Sequence, residues 1–194
     1  MLVGNCFGFV GNRMVESYGR ESAYMVEEGA SVEQIDKALF DFGMPMGPFA
    51  MADLAGNGKS CFFCRLKISI FVFCVHRGGC ICNTDITQKI RKSLGLLDPK
   101  TRPKNERYHG GLGDKLCEMG RLGMKTGEGW YVYKKGARRG ASDPAVHSLI
   151  AQHRQEIGVT QRSFTDEEIV QRCIYPMINE GFKILEEGIE FGTM

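Results

Sequence analysis

The sequence predicts an all-α protein, and three observations carry that reading. Apolar residues recur at helical rather than alternating spacing in the long segments. Two Ser/Thr-x-x-Glu/Gln capping boxes, at Ser31 and Thr165, stand where helices should begin. Glycines and prolines fall mostly where those helices should stop or start, and no glycine-rich G-x-G-x-x-G loop follows a strand.

The first helix is expected over Phe9 to Glu28, with Phe9, Val10, Met14, Tyr18, Met25 and Val26 on one broad face and Gly29 as its stop. Ser31-Val32-Glu33-Gln34 then forms a capping box: the Ser31 hydroxyl serves a free backbone N–H and Gln34 reaches back. The helix it opens places Ile35, Ala38, Leu39 and Phe42 on one face and ends at Gly43. Pro48 suits the first turn of a third helix, where its missing N–H costs nothing. A helix is expected over Asp85 to Ser93, a polar mobile loop over 98–114, and a short helix over Lys115 to Arg121. Gly123 to Tyr133 reads as turn-rich and then briefly extended, with Trp130, Tyr131 and Tyr133 as anchors. Asp143-Pro144 is an N-cap followed by proline at the first helical position, and that helix is expected to run through Ile150. Thr165-Asp166-Glu167-Glu168 opens the last helix, which should reach about Glu187 with a kink at Pro176.

The 194 residues suffice for one or two domains with a real core. An apolar share of 43% with 25% charged residues is that of an ordinary soluble globular chain. A net charge of +2 gives no general pull toward nucleic acid or an anionic membrane. The run Ile68–Val75 is far shorter than the roughly 20 residues of a spanning helix. Asn5, Gly8 and Gly11 interrupt any signal-peptide apolar core, so a secreted disulfide framework is not expected.

The chain also repeats itself weakly. Tyr24-Met25-Val26-Glu27-Glu28-Gly29 matches Lys183-Ile184-Leu185-Glu186-Glu187-Gly188, and at the same offset Arg13 falls on Arg172 and Asn12 on Gln171. The last helix therefore reads as a second, truncated copy of the first, and it must bury its apolar face on that first copy or on another chain.

Several motifs together carry a family resemblance: Gly8-Phe9-Val10-Gly11-Asn12-Arg13, Met46-Gly47-Pro48-Phe49, Asp53-Leu54-Ala55-Gly56, Lys125-Thr126-Gly127-Glu128-Gly129-Trp130-Tyr131 and Tyr175-Pro176-Met177-Ile178-Asn179-Glu180-Gly181. Over residues 3–57 and 85–188 the chain resembles the helical C-terminal domain of NAD-dependent 3-hydroxyacyl-CoA dehydrogenases, a domain like the C-terminal one of 6-phosphogluconate dehydrogenase. The repeated half-domain points to the multifunctional fatty-acid oxidation enzymes, most like the peroxisomal bifunctional type that joins an enoyl-CoA hydratase to the dehydrogenase. The resemblance implies oxidation of a 3-hydroxyacyl-CoA to a 3-ketoacyl-CoA in β-oxidation, with NAD bound by a separate Rossmann domain. In the family a His–Glu pair of that domain abstracts the hydroxyl proton, the carboxylate holding the base in one tautomer. No counterpart of that pair is recognised in this sequence; His76, His109, His147 and His153 lie outside the motif. The chain thus reads as a fragment, inactive alone. The division expected is a first helical domain over 1–133, a linker over 134–142 and a truncated second copy over 143–194.

The family's catalytic Asn matches Asn12, an amide that donates and accepts at the reacting end of the substrate without titrating; read from the sequence alone, Asn12 is a helix cap. Met46, Pro48 and Phe49 match the turn that lines the acyl pocket, with core packing the equally weighted alternative. An acyl-CoA substrate, the missing Rossmann domain and a second copy of the chain are the implied partners, without nucleic acid or a membrane span. A peroxisomal location follows from the resemblance, a mitochondrial or cytoplasmic one being the alternative.

Residues 58–84 do not belong to that pattern. Cys61, Cys64, Cys74, Cys80 and Cys82 cluster there with His76, and no acidic residue occurs. One reading is a zinc site, opened by the Cys61-x-x-Cys64 spacing but lacking a second matched pair. The favoured reading is a translated intron. Gly58-Lys59-Ser60 is what a splice-donor sequence would encode, Thr84-Asp85 fits an acceptor, and removal restores Asn57-Asp85 in frame. No metal is therefore expected. A non-catalytic helical interaction module is the reading from a different class.

Overall fold

The computed structural model describes residues 9–55, 111–137 and 139–188. Helix α1 spans Phe9–Glu28, α2 Val32–Phe42, α3 Pro48–Ala55, α4 Gly111–Glu118, α5 Pro144–Ile157 and α6 Asp166–Glu186. Between α4 and α5 the chain makes turns and three isolated antiparallel bridges, Gly123 with Glu128, Glu128 with Val132, and Val132 with Ala141. Elsewhere the regular structure of the described residues is helical, joined by short turns and loops, as the sequence predicts. The cysteine-rich stretch 58–84 and the helix expected over 85–93 lie outside the described residues. No described helix is long and apolar enough to cross a membrane.

The local chemistry explains the boundaries. Ser31 accepts from the Gln34 backbone N–H at 3.1 Å, satisfying a donor that the first turn of α2 leaves free. Gly43, at φ 117°, ends α2 in the left-handed region that a side chain disfavours. Asp143 caps α5 through the Ala145 N–H, with Pro144 at the first position, and Thr165 caps α6 through the Glu168 N–H. The end of α1 is capped from outside: the Arg154 guanidinium on α5 donates to the carbonyls of Val26 and Ala30.

Four expectations need correction. The Ser31 capping box shows its forward half alone; the Gln34 side chain is turned to a tertiary contact, its amide nitrogen donating to the Phe164 carbonyl at 2.9 Å. Phe42 leaves the core face of α2 and is 57% exposed; the helix unwinds at Gly43 immediately after it. Helix α4 starts at Gly111, inside the stretch expected as loop, and ends at Glu118 rather than Arg121. Leu112 and Leu116 bury one face of it, and Gly111 lets its backbone approach the His153 ring, where an added Cβ would sit 2.9 Å from Cε1. Helix α5 continues past Ile150 to Ile157, ended by Gly158 in the left-handed region at φ 63°.

The core is a seam between α1 and α6, closed on one side by α2. Met25 and Val26 of α1, Ile35 and Leu39 of α2, and Ile169, Cys173 and Ile184 of α6 are all sealed from solvent. Each such aliphatic side chain contributes about 1.5–3 kcal/mol by leaving water. The last helix therefore buries one apolar face, that of Ile169, Cys173 and Ile184, on the first copy.

The seam has an internal two-fold order. Arg13 of α1 donates to Glu180 of α6 and, in a fork at 2.6 and 2.7 Å, to Glu187 at that helix's C-terminal cap. Its repeat counterpart Arg172 donates to Glu28 at 2.6 Å and to Glu21 at 2.9 Å. Glu21 and Glu28 correspond to Glu180 and Glu187 at the same offset. Between the clamps, the Ser22 hydroxyl lies 3.4 Å from the Cys173 sulfur, and in the corresponding place Gly181 lies against Met14. Contact and counter-contact interchange, which is the signature of an isologous interface. Surface ion pairs contribute at most about 1 kcal/mol each, so the clamps fix register while the buried seam carries the energy.

Candidate functional site

The expected acyl-facing turn, Met44 to Phe49, links α2 to α3, and two aspartates hold it. Asp36 on α2 accepts from the N–H groups of Phe49 and Ala50 at 3.0 Å each, capping the start of α3 from the side. Its Oδ2 also accepts from the Tyr131 hydroxyl at 2.7 Å. Asp53 on α3 has no exposed surface. Its Oδ1 accepts from the Trp130 N–H at 2.9 Å, and its Oδ2 from the Tyr131 N–H and the Tyr133 hydroxyl at 3.0 Å. Thus the Trp130–Tyr133 stretch is bolted to α3 through one carboxylate and to α2 through the other.

Glycines make the approach possible. A Cβ on Gly129 would lie 2.0 Å from Asp53 Oδ1, and one on Gly123 would lie 2.4 Å from the Asp53 carbonyl oxygen. Gly123 also has φ 91°, a conformation that side chains disfavour. Arg121 closes the bracket from below: its guanidinium binds the Gly129 carbonyl at 3.0 Å, Glu128 at 3.0 Å and the Asp143 carboxylate.

The structure places the expected site residues as follows. Pro48 and Phe49 are buried at the start of α3, and the Phe49 ring packs on Trp130 with centroids 4.7 Å apart. Met46 is partly exposed in the turn. Asn12 lies in the first turns of α1, next to the Arg13 clamp. The carboxylate bracket that fixes the turn was not among the sequence expectations. Its signal was weak and one-sided: Asp53 stands in the apolar run Ala50 to Ala55, whereas Asp36 sits beside Lys37 and near Glu33 and Gln34 like any surface acid. A His–carboxylate pair also exists, His153 Nε2 lying 3.4 Å from Glu27 Oε1. These residues are only 6% and 4% exposed, in the core between α1 and α5, so the pair is closed to substrate. No group of metal-ligating side chains occurs among the described residues.

Burial pushes both bracket carboxyls up to about 6, against the pull of their hydrogen bonds. The folded protein therefore binds these protons more tightly than the unfolded chain does, whose carboxyls titrate near 3.9. Their contribution to stability is full below about pH 3.9 and is lost as pH rises through about 6. Glu33, Asp143, Glu156 and Glu180 are held low by hydrogen bonds and act in the opposite sense, losing their contribution in acid. The thermal midpoint followed by circular dichroism is thus expected to be higher at about pH 5 than at about pH 7. A midpoint that rises over that interval would contradict the assignment.

Residues 8–60 match the family described as 3-hydroxyacyl-CoA dehydrogenase, C-terminal domain. Those residues are similar to that domain. The zebrafish (Danio rerio) peroxisomal bifunctional enzyme is 39% identical to this chain over 97% of its length, and the human (Homo sapiens) one is 37% identical over the same share. The chain spans 24% and 23% of those two relatives. A solved structure, the dehydrogenase part of multifunctional enzyme 1 from C. elegans, superposes on 99% of the chain with a TM-score of 0.66 and 26% identity, the chain covering 35% of it. The matched 3-hydroxyacyl-CoA dehydrogenase segment contains α1, α2 and α3, hence Asn12, the Met44–Phe49 turn and both bracket aspartates. The tyrosines that complete the bracket lie outside it, in the part supported by the full-length relatives.

Proposed function

We propose that this chain is the helical part of an NAD-dependent 3-hydroxyacyl-CoA dehydrogenase of fatty-acid β-oxidation, working in the peroxisome. Residues 1–133 act as the first helical domain, 134–142 as the connection and 143–194 as part of the second. Similarity to the peroxisomal bifunctional enzymes along 97% of the chain carries the reading. The bracketed turn supports it, since an acyl-pocket wall needs a fixed backbone. In this reading Asn12 hydrogen-bonds at the reacting end of the substrate, and Met46, Pro48 and Phe49 face its acyl portion. In this reading NAD is held by a separate nucleotide-binding domain. What this chain contributes is contact with the acyl-CoA.

The test joins the chain to the nucleotide-binding domain of a bifunctional relative and follows NADH formation from a 3-hydroxyacyl-CoA. Turnover is expected from the joined protein and none from this chain alone. Asn12→Ala in the joined protein is expected to lower kcat about 100-fold with a smaller change in KM. Turnover by the chain alone would refute its dependence on a partner domain. One observation favours a second reading, a helical interaction module that includes self-association: Tyr175, Ile178, Phe182 and Leu185 form an exposed apolar stripe along α6. A joined protein indifferent to Asn12→Ala would move the balance that way.

A further inference from the structure

Among the described residues, the cations that face neither a carboxylate nor a backbone carbonyl are confined to one place. Most described lysines and arginines face a carboxylate, as Arg13, Lys115, Arg121 and Arg172 do. Arg154 holds backbone carbonyls instead, and Lys125 is engaged as well. Lys134, Lys135 and Arg139 are the exception: all three are exposed, and among the described residues none makes an ion pair. No acidic residue occurs between Glu128 and Asp143. An ordinary solvated surface mixes both signs, so a single-sign tip on a molecule of net charge +2 is a local concentration of positive potential.

That tip is also built. Val132 and Ala141 exchange backbone hydrogen bonds at 2.9 and 2.8 Å, forming the base of a hairpin-like loop. The Ala137 N–H returns to the Lys134 carbonyl at 2.8 Å, with Gly136 at φ 84° supplying the turn. Gly140 lies so close to Tyr131 that a Cβ there would come within 2.3 Å of the tyrosine's own Cβ. The Arg139 guanidinium sits 5.9 Å from the centroid of the Phe40 ring, near the end of α2 and hence near the start of the acyl-facing turn. The base of the loop is the Tyr131–Tyr133 stretch that grips Asp36 and Asp53. One loop therefore braces the turn at its base and carries unpaired cations at its tip.

We propose that Lys134, Lys135 and Arg139 bind the phosphates at the nucleotide end of the acyl-CoA whose acyl end meets the Met46–Phe49 turn. The inference rests on the acyl-CoA reading above and adds a recognition site to it. Coenzyme A carries a diphosphate and a ribose phosphate at the end remote from its thioester. Lysine ammoniums suit phosphate as movable point charges, and Arg139 lies over the Phe40 ring at cation–π distance. No chemistry occurs at the tip; its task is to hold the remote end of the substrate.

The experiment is calorimetric titration of the full chain with coenzyme A, with pantetheine (which lacks every phosphate) and with inorganic diphosphate. Coenzyme A is expected to bind about tenfold more tightly than pantetheine, the weight of two or three exposed charge contacts, and diphosphate is expected to compete with it. The advantage should shrink as salt is raised. Lys134→Gln with Lys135→Gln should remove most of it while leaving the thermal midpoint unchanged, since both side chains are exposed. Equal affinity for coenzyme A and pantetheine, or an unchanged advantage in the double variant, overturns the proposal. Preferential binding to anionic-lipid vesicles overturns it too and assigns the tip to a membrane surface. An acyl-pantetheine separates the two readings. If its binding weakens in Phe49→Ala while the phosphates add nothing, the acyl site stands and the phosphate site falls.

Discussion

Replacing Asp53 with alanine is expected to cost about 3–5 kcal/mol of folding stability, the largest effect of any single substitution described for this chain. Three donors depend on that carboxylate: the N–H groups of Trp130 and Tyr131 and the hydroxyl of Tyr133. Alanine would leave both amides buried without an acceptor and deprive Arg121 of a nearby negative charge. Such a loss is a large part of the roughly 5–15 kcal/mol that holds a typical domain together. Urea denaturation followed by circular dichroism measures it directly. Asp53→Asn, which keeps one carbonyl oxygen in place, should fall between wild type and alanine. A loss below about 1 kcal/mol for Asp53→Ala would mean that the bracket is ornamental.

Gly47→Ala is expected to cost about 2–3 kcal/mol, through space rather than backbone conformation. A methyl there would lie 2.3 Å from Asp36 Oδ1 and 2.4 Å from Asp36 Cα. The Cα belongs to the α2 backbone and cannot swing aside, so the turn itself must move. The Phe49 and Ala50 N–H groups would then be pulled off Asp36, and Phe49 off Trp130. The chain has one tryptophan, so its fluorescence reports that separation without ambiguity. The expected result is a shifted emission together with a lower urea midpoint. An alanine variant with wild-type emission and midpoint would show that the turn tolerates displacement, and the proposed acyl-facing role would lose its structural support.

What the sequence disclosed and what it hid follow from the range of the interactions concerned. The bounds of α1, the caps at Ser31, Asp143 and Thr165, and the stop at Gly43 depend on neighbours within four or five residues, so local chemistry sufficed to read them. The early start of α4 at Gly111 depends on the distant ring of His153, and the diversion of Gln34 depends on Phe164; neither leaves a local trace. Phe42 misled because its spacing fits the core face of α2, yet the helix ends before a neighbour covers it. The Met46–Phe49 turn was legible through its motif. Its bracket was not, because Asp36 and Asp53 find their donors in a segment far along the chain. A buried carboxylate cannot be told from a surface one by its letter alone.

The interchangeable contacts of Arg13 and Arg172 have a consequence for how this chain tolerates change. In a pair of identical subunits every substitution appears twice, once on each side of the axis, and the contact weakens on dilution. Here both halves of the contact sit on one polypeptide. The pairing of α1 with α6 is an intramolecular event, governed by tether length rather than by protein concentration. Each side is also free to drift without obliging its counterpart to follow. Ser22 touches Cys173 where Gly181 touches Met14, and asparagine stands at position 12 where glutamine stands at 171. Fusion has turned a symmetric contact into one whose halves can specialise.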